Sequence, residues 1–183
     1  MTPTDPFAVF EEWFALARTS EINDPDAMAF ATADAEGRPD CSFKGGPPGF
    51  AQVVAPDLLI FPDYDGNGMF KSLGNLLVNP NVGSLFIDFE SPKRLRVNGE
   101  ASVHSDDPLL AEFVGAQLMV RVRAKAIFPN CPRYIHKMQI VEQSVYAPCE
   151  GHTPPVPKWK QFPEFRDVLP PGDPAADPPP PRR

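Results

Sequence analysis

The stretch KRLRVNGEASV, residues 93–103, constrains the fold more than any other part of the chain. Leu95, Val97, Gly99, Ala101 and Val103 alternate with Arg94, Arg96, Asn98 and Glu100, the period-two pattern of a strand with one buried face. Arg94 and Arg96 therefore project from the same side. Shorter segments of the same kind surround it. Met28 to Ala33 and Asp40 to Lys44, on either side of an Ala35-Glu36-Gly37 turn, read as a hairpin in which Ser42 and Lys44 share one face and Cys41 and Phe43 the other. Phe50 to Val54 and Leu58 to Phe61 read as strands, VGSLFIDF at 82–89 as a buried central strand, and Met119 to Phe128 as another. In the last of these Val120, Val122, Ala124 and Ala126 are expected on one face. Arg121, Arg123, Lys125 and Ile127 are expected on the other, a basic row that reads as a solvated surface.

Only three brief helices accompany these strands. Phe7, Phe10, Phe14 and Ala17 fall at helical spacing over 7–19, giving an N-terminal helical segment within 1–24 whose aromatics read as core or interface residues. A second helix is expected from Asp106 to Gln117, with Pro108 in its first turn, and a third within 69–79. About seven strands with few helices predict a mainly β (α+β) fold, a small antiparallel barrel with helices at its rim. From Pro148 the chain is proline-rich, ending in PPPPRR, and is expected as an extended, partly disordered arm in which Trp159, Phe162 and Phe165 offer docking groups.

Composition narrows the partners. A net charge of −7 argues against general nucleic-acid binding, which needs a basic surface. No apolar run is long enough for a transmembrane helix and MTPTDPF lacks the pattern of a secretion signal, so the expected compartment is the cytoplasm. Cys41, Cys131 and Cys149 stand singly, as do His104, His136 and His152, which favours neither a disulfide frame nor a metal site.

The chemistry concentrates between Asp57 and Pro80, DLLIFPDYDGNGMFKSLGNLLVNP. This reads as a strand, a loop of turn formers and a short helix closed by Asn79-Pro80. At about 100° per residue, Lys71, Ser72, Asn75 and Asn79 share one arc and Met69, Phe70, Leu73, Leu76 and Leu77 the other, so the helix is expected to seat by its apolar side. An ammonium, a hydroxyl and the free N–H groups of a first helical turn, with Gly66 and Gly68 admitting close approach, are suited to holding a phosphate. The alternative is a plain strand-turn-helix connection whose glycines relieve strain. Two familiar phosphate motifs are excluded. Phe70 stands where a nucleoside-triphosphate loop needs the glycine before its lysine, and Lys71 stands where a dinucleotide fingerprint needs its third glycine.

Four stretches in this order, GRPDCSFKGG, FPDYDGNGMFKSLGNLLVNP, VGSLFIDF and RLRVNGEA, together with FPNCPRYIH, resemble the pyridoxamine 5'-phosphate oxidase-like family, the FMN-binding split barrels. The resemblance covers about residues 25–137, within a barrel domain at 25–147 that precedes the arm at 148–183. It implies an antiparallel split β-barrel and a homodimer with FMN at the subunit interface. It also implies roles for residues. Lys71 and Ser72 fall on the basic pair that grips the FMN phosphate, with Asn67, Gly68, Met69 and Asn75 beside them. Ser42, Phe43, Lys44, Phe61 and Pro62 fall along the isoalloxazine ring, and Arg94 or Arg133 would supply positive charge near it.

The departures matter as much. Ser72 replaces the second basic residue of the pair, Arg94 stands where the oxidases usually carry glutamine, and Pro39 stands where their hairpin strand begins with arginine. Their C-terminal substrate-binding arginine and histidine are not recognisable in the proline-rich arm. The expectation is an FMN-dependent oxidoreductase for a small molecule other than pyridoxamine phosphate, with no assigned catalytic residue. The alternatives are a flavin carrier or sensor without turnover, or a split barrel holding haem or a deazaflavin.

Overall fold

Among the described residues seven strands pair antiparallel throughout: β1 (Met28–Ala33), β2 (Pro39–Lys44), β3 (Gln52–Ala55), β4 (Leu58–Tyr64), β5 (Asn81–Asp88), β6 (Lys93–His104) and β7 (Ala116–Pro129). One helix, α1 (Lys71–Leu76), lies between β4 and β5. These coordinates are a computed structural model that describes residues 5, 8, 26–170, 173, 175 and 176; the helix expected over 7–19 lies, apart from Ala8, outside them. The sheet runs β2-β1-β5-β6-β7-β4-β3, so β2 and β3 are its two open edges, as in a split barrel. No helix among the described residues is long and apolar enough to cross a membrane.

The alternation in β6 holds over its length: Leu95, Val97 and Ala101 are buried and Arg96, Asn98 and Glu100 exposed. In β7 it does not. The register slips where Asn98 faces Ala126 and Gly99 faces Ala124, leaving Lys125 as an extra residue. Such a bulge reverses the faces beyond it, and so Ala126 is exposed and Ile127 buried, the opposite of the sequence expectation. Gly99 sits against the bulge because a Cβ there would fall on the Arg123 carbonyl. The basic row is solvated as expected, with Arg123 paired to Asp57 and Lys125 to Glu100, while Arg121 turns its guanidinium to Asp107.

Rings close the barrel where the ladder does not. Phe30 of β1 meets Phe61 of β4 edge-on with centroids 5.2 Å apart, and Phe50 packs on Phe61 and Tyr64 at 5.7 and 6.0 Å. Phe50, expected to open β3, instead turns into this core, its N–H bonded to the Pro47 carbonyl.

Two helical expectations are corrected. Over 106–117 there is only a 3-10 turn at Leu110–Glu112: the Asp107 carboxylate accepts from the Leu109 N–H and from Arg121, which holds the chain in a turn, and Gly115 (φ 78°) redirects it into β7. In α1 the seated side is only part of the expected apolar arc. Ser72 and Asn75 are buried with Leu73 and Leu76, whereas Leu77 is 78% exposed and Met69 68%. The reason is that Phe70 is left-handed (φ 47°), so the helix begins only at Lys71, and two long-range hydrogen bonds rotate it: Ser72 Oγ to Ser42 Oγ (2.9 Å) and Asn75 Nδ2 donating to Thr32 Oγ1 (2.9 Å).

The described part of the arm is organised rather than merely extended, with 3-10 turns at Lys158–Gln161 and Pro163–Val168. Trp159 packs edge-on against Phe165, while Phe162 and Phe165 stay half-exposed. The side chain driven fully inside is Lys160.

Candidate functional site

Alternation along β2 aims Asp40, Ser42 and Lys44 inward, and the last residues of β4 bring Pro62, Asp63 and Tyr64 towards them. Between these walls lies a cleft of about 560 Å³, closed at one side by the loop 65–70 and by Lys71, Ser72 and Leu73 of α1. Ligand pockets commonly span about 300–1,000 Å³, so the volume suits a cofactor-sized guest.

Of the residues singled out in the sequence, Ser42, Phe43, Lys44, Pro62, Asn67, Gly68, Met69, Lys71 and Ser72 line this cleft. Phe61 does not; it is wholly buried in the ring cluster and not among the residues that line the cleft. Asn75 is buried behind the cleft and committed to Thr32. Arg94 and Arg133 are also elsewhere. Lys44 lies in a cross-strand row with Met28, Phe86 and Leu95, on the core side, whereas Arg94 faces Ile87 on the opposite side of the sheet. Three strand spacings of about 4.8 Å also separate β2 from β6. Arg133 follows β7 and is exposed, its Nε donating to Cys131 Sγ at 3.2 Å. The Arg133 backbone N–H and, after it, this side-chain contact draw the exposed Cys131 thiol below its ordinary value. Neither His104 nor His136, the histidines within the barrel region, lines the cleft.

The electrostatics are mixed. Lys71 Nζ lies 3.4 Å from Asp40 Oδ1, and Lys44 Nζ lies 4.0 Å from Asp63 Oδ1. Burial pushes the Asp63 carboxyl above its ordinary value, opposed by Lys44 and reinforced by Asp65. Burial likewise pushes the Tyr64 phenol up to about 12, so it stays a neutral hydrogen-bonding group at physiological pH. Gly46 lets the floor pack tightly: a Cβ there would come 2.7 Å from the Phe50 ring and 2.8 Å from that of Tyr64.

Reasoning from the sequence missed Asp40, Asp63, Tyr64 and Asp65 as walls of the cleft. The parity of β2 that placed Ser42 and Lys44 inside also places Asp40 there. Asp63 and Tyr64 needed the extension of β4 beyond Phe61, which the alternation did not show. What the arrangement can do is present an ammonium (Lys71) and two hydroxyls (Ser42, Ser72) at one end, bordered by the loop that carries Met69, and Pro62 with a second ammonium (Lys44) at the other, while the Phe43 side chain, one residue out of phase, is exposed on the outer face of the sheet. Such a donor set suits a phosphate ester carrying a flat, largely apolar body.

A sequence family described as pyridoxamine 5'-phosphate oxidase matches residues 17–146. The pyridoxine/pyridoxamine 5'-phosphate oxidase of Rhodospirillum rubrum is 29% identical over 175 residues, spanning 90% of this chain and 82% of that protein. The one of Hyphomonas neptunium is 31% identical over 167 residues, spanning 86% and 70%. A solved structure of a putative pyridoxamine 5'-phosphate oxidase from Lactobacillus delbrueckii is 24% identical with a TM-score of 0.48, covering 64% of this chain and 91% of that one.

Proposed function

The chain belongs to the pyridoxamine 5'-phosphate oxidase family, and on that premise we propose that it is an FMN-dependent oxidoreductase for a small molecule other than pyridoxamine phosphate. The observation that carries this reading is the convergence of the Lys71 ammonium with the Ser42 and Ser72 hydroxyls at one end of the cleft. FMN, when bound, supplies hydride and electron transfer, and the protein supplies binding, orientation and electrostatics. Lys71 and Ser72 would hold the phosphate, Lys71 leaving Asp40 to do so. Asn67, Gly68 and Met69 would border it through the loop. Pro62 and Lys44 would lie along the ring system, and Phe43, whose side chain faces outward in its own copy, could reach a flavin only across a subunit interface. Asp63 is the group suited to hold or release a proton there, since its burial lets it protonate more readily than an ordinary carboxylate.

Arg94 and Arg133 reach such a site only from a second copy of the chain. The outer face over β2, β1 and β5 supports a homodimer, because it is apolar where a solvated face would be polar: Phe43 is 74% exposed in one cross-strand row with the half-buried Ala29 and Leu85, and the neighbouring β6 row of Arg94, Arg96, Asn98 and Glu100 supplies a polar border. Contact there would bring the two arginines of one copy towards the cleft of the other.

The test is the visible spectrum of the purified protein before and after incubation with FMN. Bound flavin absorption with quenched fluorescence is expected, and a preparation that stays colourless overturns the reading. Photoreduction followed by reoxidation with candidate acceptors then separates an oxidoreductase, whose flavin turns over, from a carrier, whose flavin stays inert.

A further inference from the structure

We propose that Lys160 is a positioning residue for the cleft: from the arm it pins Asp65, and through Asp65 it fixes the loop 65–70 that forms the cleft wall. The latch stands on its own geometry; only the identity of the guest rests on the flavin reading.

Lys160 is 1% exposed, a placement that a lysine tolerates only when its charge is met. It is met twice, with Nζ donating to Asp65 Oδ1 at 2.5 Å and to Asp173 Oδ2 at 2.6 Å. The Trp159 ring lies beside the same ammonium, 5.6 Å from its centroid. Burial pulls the Lys160 pKa down, but the bonds to Asp173 and Asp65 outweigh it and leave the ammonium more firmly charged than usual. The two carboxylates play different parts. Asp173 belongs to the arm, is itself buried, and is further fixed by the Ala175 N–H, so its pair with Lys160 ties the arm to itself. Asp65 belongs to the barrel, 95 residues away in the chain, and is the first residue of the loop.

That loop needs an outside anchor. It contains Gly66 and Gly68, the latter at φ 71°, and ends at the left-handed Phe70, while the bond from the Met69 N–H to Asn67 Oδ1 is purely local. A glycine-containing segment without fixed contacts loses much conformational freedom when a ligand orders it, and an anchor that orders it beforehand removes that loss. The anchor acts on charge as well. Asp65 lines the cleft, where a bare carboxylate would repel an anionic guest, and Lys160, shared with Asp173, offsets part of that charge.

The test uses the full chain with Lys160→Met and Lys160→Arg. The first readout needs no cofactor: amide hydrogen exchange should accelerate in both 65–70 and 158–170 in Lys160→Met, and Lys160→Arg should restore protection of the loop. The second is FMN dissociation followed by flavin fluorescence, expected about tenfold faster in Lys160→Met and restored by arginine. Accelerated exchange in the arm with unchanged exchange at 65–70 overturns the proposal, as does unchanged FMN dissociation in a variant whose loop has loosened. If Lys160→Met does not fold, Asp65→Asn cuts the same tie while leaving the Lys160–Asp173 pair, and the exchange of 66–70 then decides. A wild-type protein that binds no flavin removes the flavin reading and leaves the exchange experiment to judge the latch.

Discussion

Replacing Asp40 by asparagine should tighten FMN binding. Its Oδ1 lies 3.4 Å from Lys71 Nζ, and a phosphate that recruits Lys71 must compete with it. Two unit charges at that distance attract by about 1 kcal/mol in water. The Lys71 side chain is 61% exposed, and pairs exposed to this degree are worth about 0.2–1 kcal/mol. Removing the competitor should therefore improve affinity by up to about fivefold. Lys71→Ala should do the reverse and weaken binding by about tenfold, since it removes one charge-assisted hydrogen bond at the lower, solvent-screened end of the range. The two changes share a mechanism, so they should not add: in the Lys71→Ala background most of the gain from Asp40→Asn should vanish. Titration of FMN fluorescence at low and at near-physiological salt measures all four proteins, and the gain should shrink as salt rises. Weaker binding by Asp40→Asn, or unchanged binding by Lys71→Ala, would refute the cradle.

Three further outcomes concern stability. Gly99→Ala forces a Cβ onto the Arg123 carbonyl and should cost about 1–3 kcal/mol in urea unfolding; a loss within error would mean the bulge relaxes freely. Asp63→Asn should stabilise the protein at neutral pH, because a carboxyl whose folded pKa is raised above 3.8 carries a cost above that value; thermal melts of the two proteins should converge at lower pH, and a lower melting temperature at neutral pH would show that Lys44 needs Asp63 more than burial penalises it. Asp107, by contrast, is held below 3.8 chiefly by the Arg121 hydrogen bond. Its stabilisation is present above the unfolded value and lost as pH falls through the folded one. Asp107→Asn should therefore cost about 2 kcal/mol at neutral pH and nothing in strong acid, and a pH-independent difference would argue against the ion pair as its source.

Much of the barrel was legible because strand alternation is a local signal. β6 reads directly from Leu95 to Val103, and the parity of β2 sends Ser42 and Lys44 into the cleft. What failed depends on partners distant in the chain. The reversal at Ala126 and Ile127 follows from the register that Gly99 permits on the neighbouring strand, which no pattern within β7 contains. Helical projection assumed that Met69 and Phe70 belong to the helix, but a left-handed Phe70 starts it later, and hydrogen bonds to Thr32 and Ser42 turn its polar side inward. Lys160 carries no local signal in a proline-rich tail, since its partner Asp65 lies 95 residues away in the chain. Arg94 was assigned to the flavin by resemblance, and within one copy it faces away from the cleft.

The ring contact between Phe30 and Phe61 joins strands that stand four places apart in the sheet order. It works as a clasp on an otherwise open cylinder. Backbone ladders are directional and fail one whole bond at a time, whereas apolar ring contacts are non-directional and weaken by degrees. The cylinder can therefore slacken along its slit without unpairing β5, β6 and β7, and amides at the free edges of β2 and β3 should exchange by local opening while those of β6 and β7 await global unfolding.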